Sequence, residues 1–441
     1  MGADLLRGMK LGRTSEFLTS FSGLTLIAKF ADALELPQQL NTSLSRLKRR
    51  CRGYTPSDVV LSLSLLHIAG GSCLDDVKLL NADPYARRLV GDAGVPSANT
   101  LGVYLRRFTH RDIAALAHTV WELGRRSLDE WSREDTSDRV VIDFDGSLIQ
   151  ANKRAAKKTY KGFRGYHPLL AMIDGADIVL AGLFRHGNAA PSVNAVSFLR
   201  RCLDALPQSV AQRTVFVRSD SAWYQRKVLD VCEARGVRFT ISAGMDQSVL
   251  RACRGISTWS RLISRDPDED RFEEVGETVH AIGRSFHSPA YRLVACRRRR
   301  VQGDLWDGEY EYRAFITNVP EQEMPPAELI FFHRRRGDCE NILKELKGGF
   351  GLDTVPCGTL LANAAYFQTI LLSYNLIQFL KRSALPDAWR CLTMKTLRFR
   401  LVFVAGRLVR HARSWTLKLP RSYPFHEVFS HAFWEIGQLR V

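Results

Sequence analysis

The chain has 441 residues, of which 45% are apolar, 25% charged and 10% aromatic. That length is about three domains' worth at roughly 150 residues each, and the composition excludes wholesale disorder, a collagen-like repeat or a coiled-coil rod. Charge is the unusual feature: 63 Lys plus Arg against 46 Asp plus Glu leave a net +17, which points to a polyanionic partner. Nine scattered cysteines form no Cys-x-x-Cys pair, which argues against a zinc ribbon or a disulfide framework. The start, Met1-Gly2-Ala3-Asp4-Leu5-Leu6, lacks the basic segment and apolar centre of a secretory signal, so a cytoplasmic location is expected.

Residues 1–137 read as a helical DNA-binding domain. Apolar positions recur at helical spacing over 57–68, Gly70-Gly71 breaks the run before 74–80, and Asp83-Pro84 breaks it again. Val95-Pro96-Ser97-Ala98-Asn99 then leads into 100–108, a capped amphipathic helix with Arg106 and Arg107 at its end. Helix, turn and basic helix fit a DNA-reading module, and they fit a plain helical bundle equally well.

At 139 the pattern changes. Residues 140–145 form an apolar run ending in acids, which reads as a buried strand, and 153–164 form a basic loop containing Lys157 and Lys158. Strands over 168–173 and 178–184 follow, joined by Asp174-Gly175-Ala176-Asp177. A helix over 194–206 stops at Pro207, and a strand over 214–219 leads to Asp220. A helix over 222–235 ends at Gly236, before a strand over 237–242. The order is β-β-β-α-β-α-β, an α/β core whose first part spans 138–245. Residues 246–320 form a β-rich insertion. The second part of the core, 321–390, carries a strongly helical run over 327–347 and a more apolar helix over 362–381. The latter is interrupted by Gln368, Ser373, Asn375 and Gln378, so it reads as a buried helix and no membrane role is expected. Residues 391–441 form a basic C-terminal helical region, with Leu397, Leu401, Val404 and Leu408 on one helical face.

Three segments could carry chemistry. Asp143 and Asp145 lie two apart, so both point to one face of their strand, and Asp220 ends a second strand. Acids at the ends of apolar strands are costly unless they bind a metal, accept backbone hydrogen bonds or face a cleft, although any one of them serves as readily as a cap. On the third segment Arg336, Glu340 and Lys347 stack on one helical face with Lys344 between them, a pattern that an exposed, ion-paired helix shares.

Together these segments resemble the DDE transposases of bacterial insertion sequences marked by a Tyr-x2-Arg-x3-Glu-x6-Lys signature. Arg336, Glu340 and Lys347 fit the gaps, and His333 stands at the tyrosine position. Asp145-Gly146-Ser147 and Arg218-Ser219-Asp220-Ser221 match the other two blocks, and the likeness covers roughly residues 139–380. The resemblance implies an α/β fold with a ribonuclease H-like mixed sheet and the β-rich insertion before the glutamate helix. It implies Asp145, Asp220 and Glu340 as catalytic and metal-binding residues holding two Mg²⁺ ions, with Mn²⁺ as substitute. Arg336, Lys347, His333, Lys344, Lys157, Lys158 and Arg218 would bind DNA phosphate, and Asp143 would support the site without reacting. Water would attack first, and the freed 3′-hydroxyl would then attack the opposite strand or target DNA. The implied partners are double-stranded DNA, as terminal inverted repeats and target, and a second copy of the chain on that DNA, in a bacterial, nucleoid-associated setting. Trp259 and Trp306, in the insertion, would stack on a flipped base or, more simply, fill the core.

Two other readings exist. Asp143-Phe144-Asp145-Gly146-Ser147 also resembles the opening block of haloacid-dehalogenase-type phosphatases, with Asp143 as nucleophile and Asp145 as acid and base. That reading leaves the arginine-glutamate-lysine helix and the positive charge unexplained. A non-catalytic DNA-binding protein on a decayed transposase scaffold is disfavoured because all three acids are present.

Overall fold

The computed structural model describes residues 9–48, 52–190, 192–263, 273–283, 288–299, 309–412 and 414–439. A short strand, β1 (Leu18–Thr19), precedes six helices: α1 (Leu24–Ala33), α2 (Leu36–Ser43), α3 (Pro56–Ile68), α4 (Val77–Ala82), α5 (Ala98–Leu105) and α6 (His110–Glu134). Thr55 and Thr109 start α3 and α6 by reciprocal capping with Asp58 and Asp112, which satisfies backbone N–H groups that the helix leaves unpaired. Helix α3 is buried along its whole length.

Burial there sets a pH dependence. His67 of α3 is fully buried with its ring on Tyr366 and Nε2 3.0 Å from Thr369 Oγ1, and burial pushes its pKa down to about 3. The unfolded chain takes up a proton near pH 6.5 that the folded chain refuses, so stability is lost as pH falls below 6.5, by roughly 1.4 kcal/mol per pH unit. Between pH 6.5 and 4.5 the wild type should therefore lose roughly 2–3 kcal/mol more than His67→Gln. Urea midpoints measured against pH check this; parallel curves would show that His67 protonates inside the fold.

The strands follow: β2 (Arg139–Gly146), β3 (Ile149–Gln150), β4 (Lys157–Lys158), β5 (Arg164–Tyr166), β6 (Leu169–Ile173), β7 (Ile178–Leu183), β8 (Thr214–Ser219), β9 (Arg238–Ser242), β10 (Ser260–Leu262), β11 (Glu273–Ala281), β12 (Ala290–Arg299) and β13 (Tyr310–Thr317). Among the described residues, nine of these form one mixed sheet in the order β10-β11-β12-β13-β9-β8-β2-β6-β7. Its centre, β2, β8 and β9, is parallel, and the crossovers between them carry α7 (Ala195–Asp204) and α8 (Arg226–Ala234). Helix α9 (Gln247–Arg254) follows β9. Strand β13 then pairs antiparallel with β9, Ile316 opposite Ile241, so the insertion continues the core sheet.

Helices α10 (Pro326–Arg334), α11 (Gly337–Phe350) and α12 (Leu360–Ala384) come next. The expected single helix over 327–347 is broken at Arg335-Arg336, where α11 starts afresh beside the sheet. Helix α12 is long and apolar enough to cross a membrane, yet almost all of it is buried inside the protein. It seals the β7 edge of the sheet. The Asn375 side chain accepts from the Val179 N–H (3.1 Å) and donates to the Val179 carbonyl (2.8 Å), and Gln368 donates to the Gly182 carbonyl (3.0 Å). The polar interruptions thus stand in for a further strand.

The C-terminal region departs from expectation. Leu397 and Leu401 are helical and buried, but the helical turns end at Val402; Leu408 lies on β14 (Gly406–His411), followed by β15 (Ser414–Lys418) and α13 (His426–Gln438). Gly406 and Leu408 are buried with exposed Arg407 between them, the period of a strand, and the four-residue spacing of leucines fits a strand face as well as a helical one. Strand β14 pairs with β1, Arg407 opposite Leu18, and a Cβ on Gly406 would lie 2.2 Å from Ser22 Oγ. The glycine allows that close approach.

Candidate active site

Strands β2 and β8 run in register with Asp143 opposite Arg218 and Phe144 opposite Ser219. One step further, near the carboxyl ends of the two parallel strands, Asp145, still paired with Leu170 of β6, and Asp220, just past β8, lie close enough for their charges to interact. The lower pair is structural. Arg218 is fully buried and donates from Nε and Nη2 to the two Asp143 carboxylate oxygens, both at 2.7 Å. Its Nη1 donates to the Phe332 carbonyl at 2.8 Å, and Asp174 Oδ2 lies 3.0 Å from Nη2. Burial pushes the Asp143 carboxyl up, to about 6, while the two Arg218 hydrogen bonds pull it back, so it is ionised at neutral pH.

Two expectations are corrected here. Arg218 cannot reach DNA phosphate, because every face of its guanidinium is inside the protein. Asp143 cannot serve as a phosphatase-type nucleophile, because both of its oxygens are committed to Arg218. His333 requires a third correction. Its two ring nitrogens meet Thr240 Oγ1 and, at 3.1 Å, Ser242 Oγ, Phe315 packs on the ring, and burial pushes its pKa down to about 3. It is a neutral pin fastening α10 to β9, with no charge for a phosphate.

The upper pair is open to chemistry. Asp145 Oδ1 accepts the Gly146 N–H (2.8 Å) and Asp220 Oδ1 accepts the Ala222 N–H (3.0 Å), leaving Oδ2 of each outside these bonds. Asp220 is therefore a cap as well as a site residue. Burial raises the Asp145 pKa and neighbouring Asp220 adds to that, while the Arg336 guanidinium, with Nη1 3.4 Å from Oδ2, opposes both. On Arg336 itself, burial opposes the charge, but Asp145, Cys339, Asp220 and Asp143 outweigh it and hold its pKa above the usual arginine value. The arginine is thus the counter-charge of the acid pair. In Arg336→Ala, Asp145 should ionise less readily, so the acid limb of the pH–rate profile moves to higher pH and cleavage slows about 10- to 100-fold. Arg336→Lys keeps part of the rate, having a charge without the fork.

Glu340 lies one turn beyond Arg336 on α11 and is exposed. Among the described residues no three His, Cys, Asp or Glu side chains stand close enough together to hold a metal ion. Asp145 and Asp220 suit a hard divalent cation as a pair of carboxylates, and Glu340 does not complete a third corner in this conformation. Lys344 is exposed, and Lys347 Nζ lies 4.0 Å from Asp353 Oδ1. Lys157 and Lys158 are exposed on β4, part of a small β3-β5-β4 sheet that continues from β2.

The sequence reading missed His167. Its Nε2 would lie 2.7 Å from a Cβ on Gly146, so the imidazole packs over the residue after Asp145, and Tyr160 from the basic loop lies against it at 5.9 Å. The small residue in Asp145-Gly146-Ser147 was the available signal, and it names no partner. Trp259 carries the Arg297 guanidinium over its ring at 4.2 Å and donates its indole N–H to the Ile256 carbonyl. That is a packing role; Trp306 lies outside the described residues.

This arrangement coincides with a family assignment. The chain matches the family described as transposase DDE domain, group 1, over residues 6–441, and it belongs to that family. DDE transposases generally use divalent metal ions. No curated protein matches the chain. Among solved structures it is similar to the cryo-EM structure of the piggyBac transposase synaptic complex with hairpin DNA, at 11% identity and a TM-score of 0.41, covering 88% of this chain and 83% of that one.

Proposed function

We propose that this transposase cuts DNA at the ends of an insertion sequence and joins the freed 3′ ends to target DNA, using a ribonuclease H-like core. The carrying observation is the closeness of Asp145 and Asp220 near the carboxyl ends of the parallel strands β2 and β8 with Arg336 against them. Asp145 and Asp220 would hold Mg²⁺, or Mn²⁺ in its place, and Glu340 would join them when DNA is bound. The cation supplies Lewis acidity at the phosphate and a more nucleophilic oxygen. Arg336 balances the charge of the acids and orients them toward the scissile phosphate. Lys157, Lys158, Lys344 and Lys347 hold flanking phosphates, so binding weakens steeply as salt rises. The proposed partners are double-stranded DNA and a second copy of the chain assembled on it.

The decisive variant is Glu340→Ala, since this carboxylate stands apart from the other two. Strand cleavage and joining on a labelled duplex, in Mg²⁺ and in EDTA, with DNA binding followed in parallel, make the test. Loss of Mg²⁺-dependent cleavage with binding intact supports the three-acid site. Undiminished cleavage removes Glu340 from it, and binding without any wild-type cleavage would favour a decayed scaffold.

A further inference from the structure

A groove of about 650 Å³ separates α5 from the start of the small sheet that follows β2. One wall is α5 with Arg106 at its C-terminal cap; Asn99 and Arg106 lie on the side opposite the buried Leu101 and Leu105, with Gly102 between them offering no side chain. The facing wall is Gln150, at the end of β3 and five residues past Asp145, and Lys153 at the start of the basic loop. The floor is formed by residues 353–356, just beyond α11.

Charge and hydrogen-bonding capacity in the groove are unbalanced. Among the described residues the acids on its wall have cations nearby, Asp75 at 3.3 Å from Lys78 and Asp353 at 4.0 Å from Lys347. Among the described residues the Arg106, Lys153, Asn99 and Gln150 side chains have no hydrogen-bond or ion-pair partner. Two free cations flank two free amides, each amide carrying a donor and an acceptor. Amides of this kind read base edges bidentately, and cations beside them hold the backbone.

We infer that this groove seats duplex DNA, with Asn99 and Gln150 at base edges and Arg106 and Lys153 on phosphates, so that sequence is read within a few residues of the acids. The inference rests on the transposase reading and adds the surface that chooses the DNA. One wall comes from the N-terminal helices and the other from the loop after Asp145, so recognition of the right sequence also sets the position of the strand to be cut.

The test uses the full chain, fluorescence anisotropy and two labelled 30-bp duplexes, one of random sequence and one enriched from a randomised pool by the wild-type protein. Asn99→Ala and Gln150→Ala should each weaken binding to the enriched duplex about 5- to 100-fold while leaving the random duplex within about twofold. Arg106→Ala and Lys153→Ala should weaken both duplexes and each lower the salt slope by about one. Arg200→Ala, on the exposed face of α7, is the control for charge alone. Melting temperatures are compared throughout, and Asn99→Ser and Arg106→Gln replace any variant that melts early. Discrimination unchanged in both amide variants overturns the inference, as does a salt slope that responds to Arg200 as it does to Arg106. If the variants lose no binding but still cleave in Mg²⁺, this groove is wrong and the transposase reading stands; absence of cleavage in the wild type would count against that reading instead.

Discussion

Asp145→Asn and Asp220→Asn are each expected to slow strand cleavage by on the order of a thousandfold or more, with DNA binding retained. The two carboxylates stand near the carboxyl ends of adjacent parallel strands, each with one oxygen occupied by a backbone N–H and the other available. Asp143, two residues earlier on β2, cannot replace either of them, because it is bound on both oxygens by Arg218. Asparagine keeps the oxygen that accepts the Gly146 or Ala222 N–H, so the local turns persist and the loss falls on chemistry. Stability supplies the second readout. Burial already disfavours the Asp145 charge, so the metal-free Asp145→Asn protein should melt no lower than wild type. Single-turnover cleavage on prebound duplex and thermal melting check both halves. A rate within tenfold of wild type would remove that aspartate from the reaction.

The second large effect is on folding. Arg218→Ala leaves Asp143 buried without its partner and strands the Phe332 carbonyl, and breaking a buried pair in this way costs about 3–5 kcal/mol. Asp143→Ala should cost less, because Asp174 still lies 3.0 Å from the guanidinium it leaves behind. The double variant Asp143→Leu/Arg218→Met should recover much of the loss, since a well-packed apolar pair removes both desolvation penalties. Urea unfolding of the three variants measures this. A fully stable Arg218→Ala protein with weakened DNA binding would restore Arg218 to the DNA surface.

The central strands were legible because burial on both faces writes a continuous apolar run: β2, β6, β7, β8 and β9 lie where those runs predict, with α7 and α8 between them. The acid pair was legible for the same reason, since a charge at the end of such a run is conspicuous. The interior charges were not. Arg218 lies one residue from the Ser219-Asp220 block, and nothing in its neighbours says that Asp143 is waiting opposite; cross-strand register decides that. His333 fits the signature spacing, but its fate depends on Thr240 and Ser242, about ninety positions away. The tail misled because helix and strand periods coincide over four residues, and pairing with β1 settled which one prevailed.

That pairing has a consequence for synthesis. Strand β1 meets β14, and α1 packs with α13, so the amino-terminal layer is completed by segments made roughly 400 residues later, a delay of about 20–80 s at about 5–20 residues per second of synthesis. Helix α5, which also packs on α12, shares that wait. A nascent or prematurely terminated chain would therefore present loose N-terminal helices, and only chains translated through α13 could close that layer.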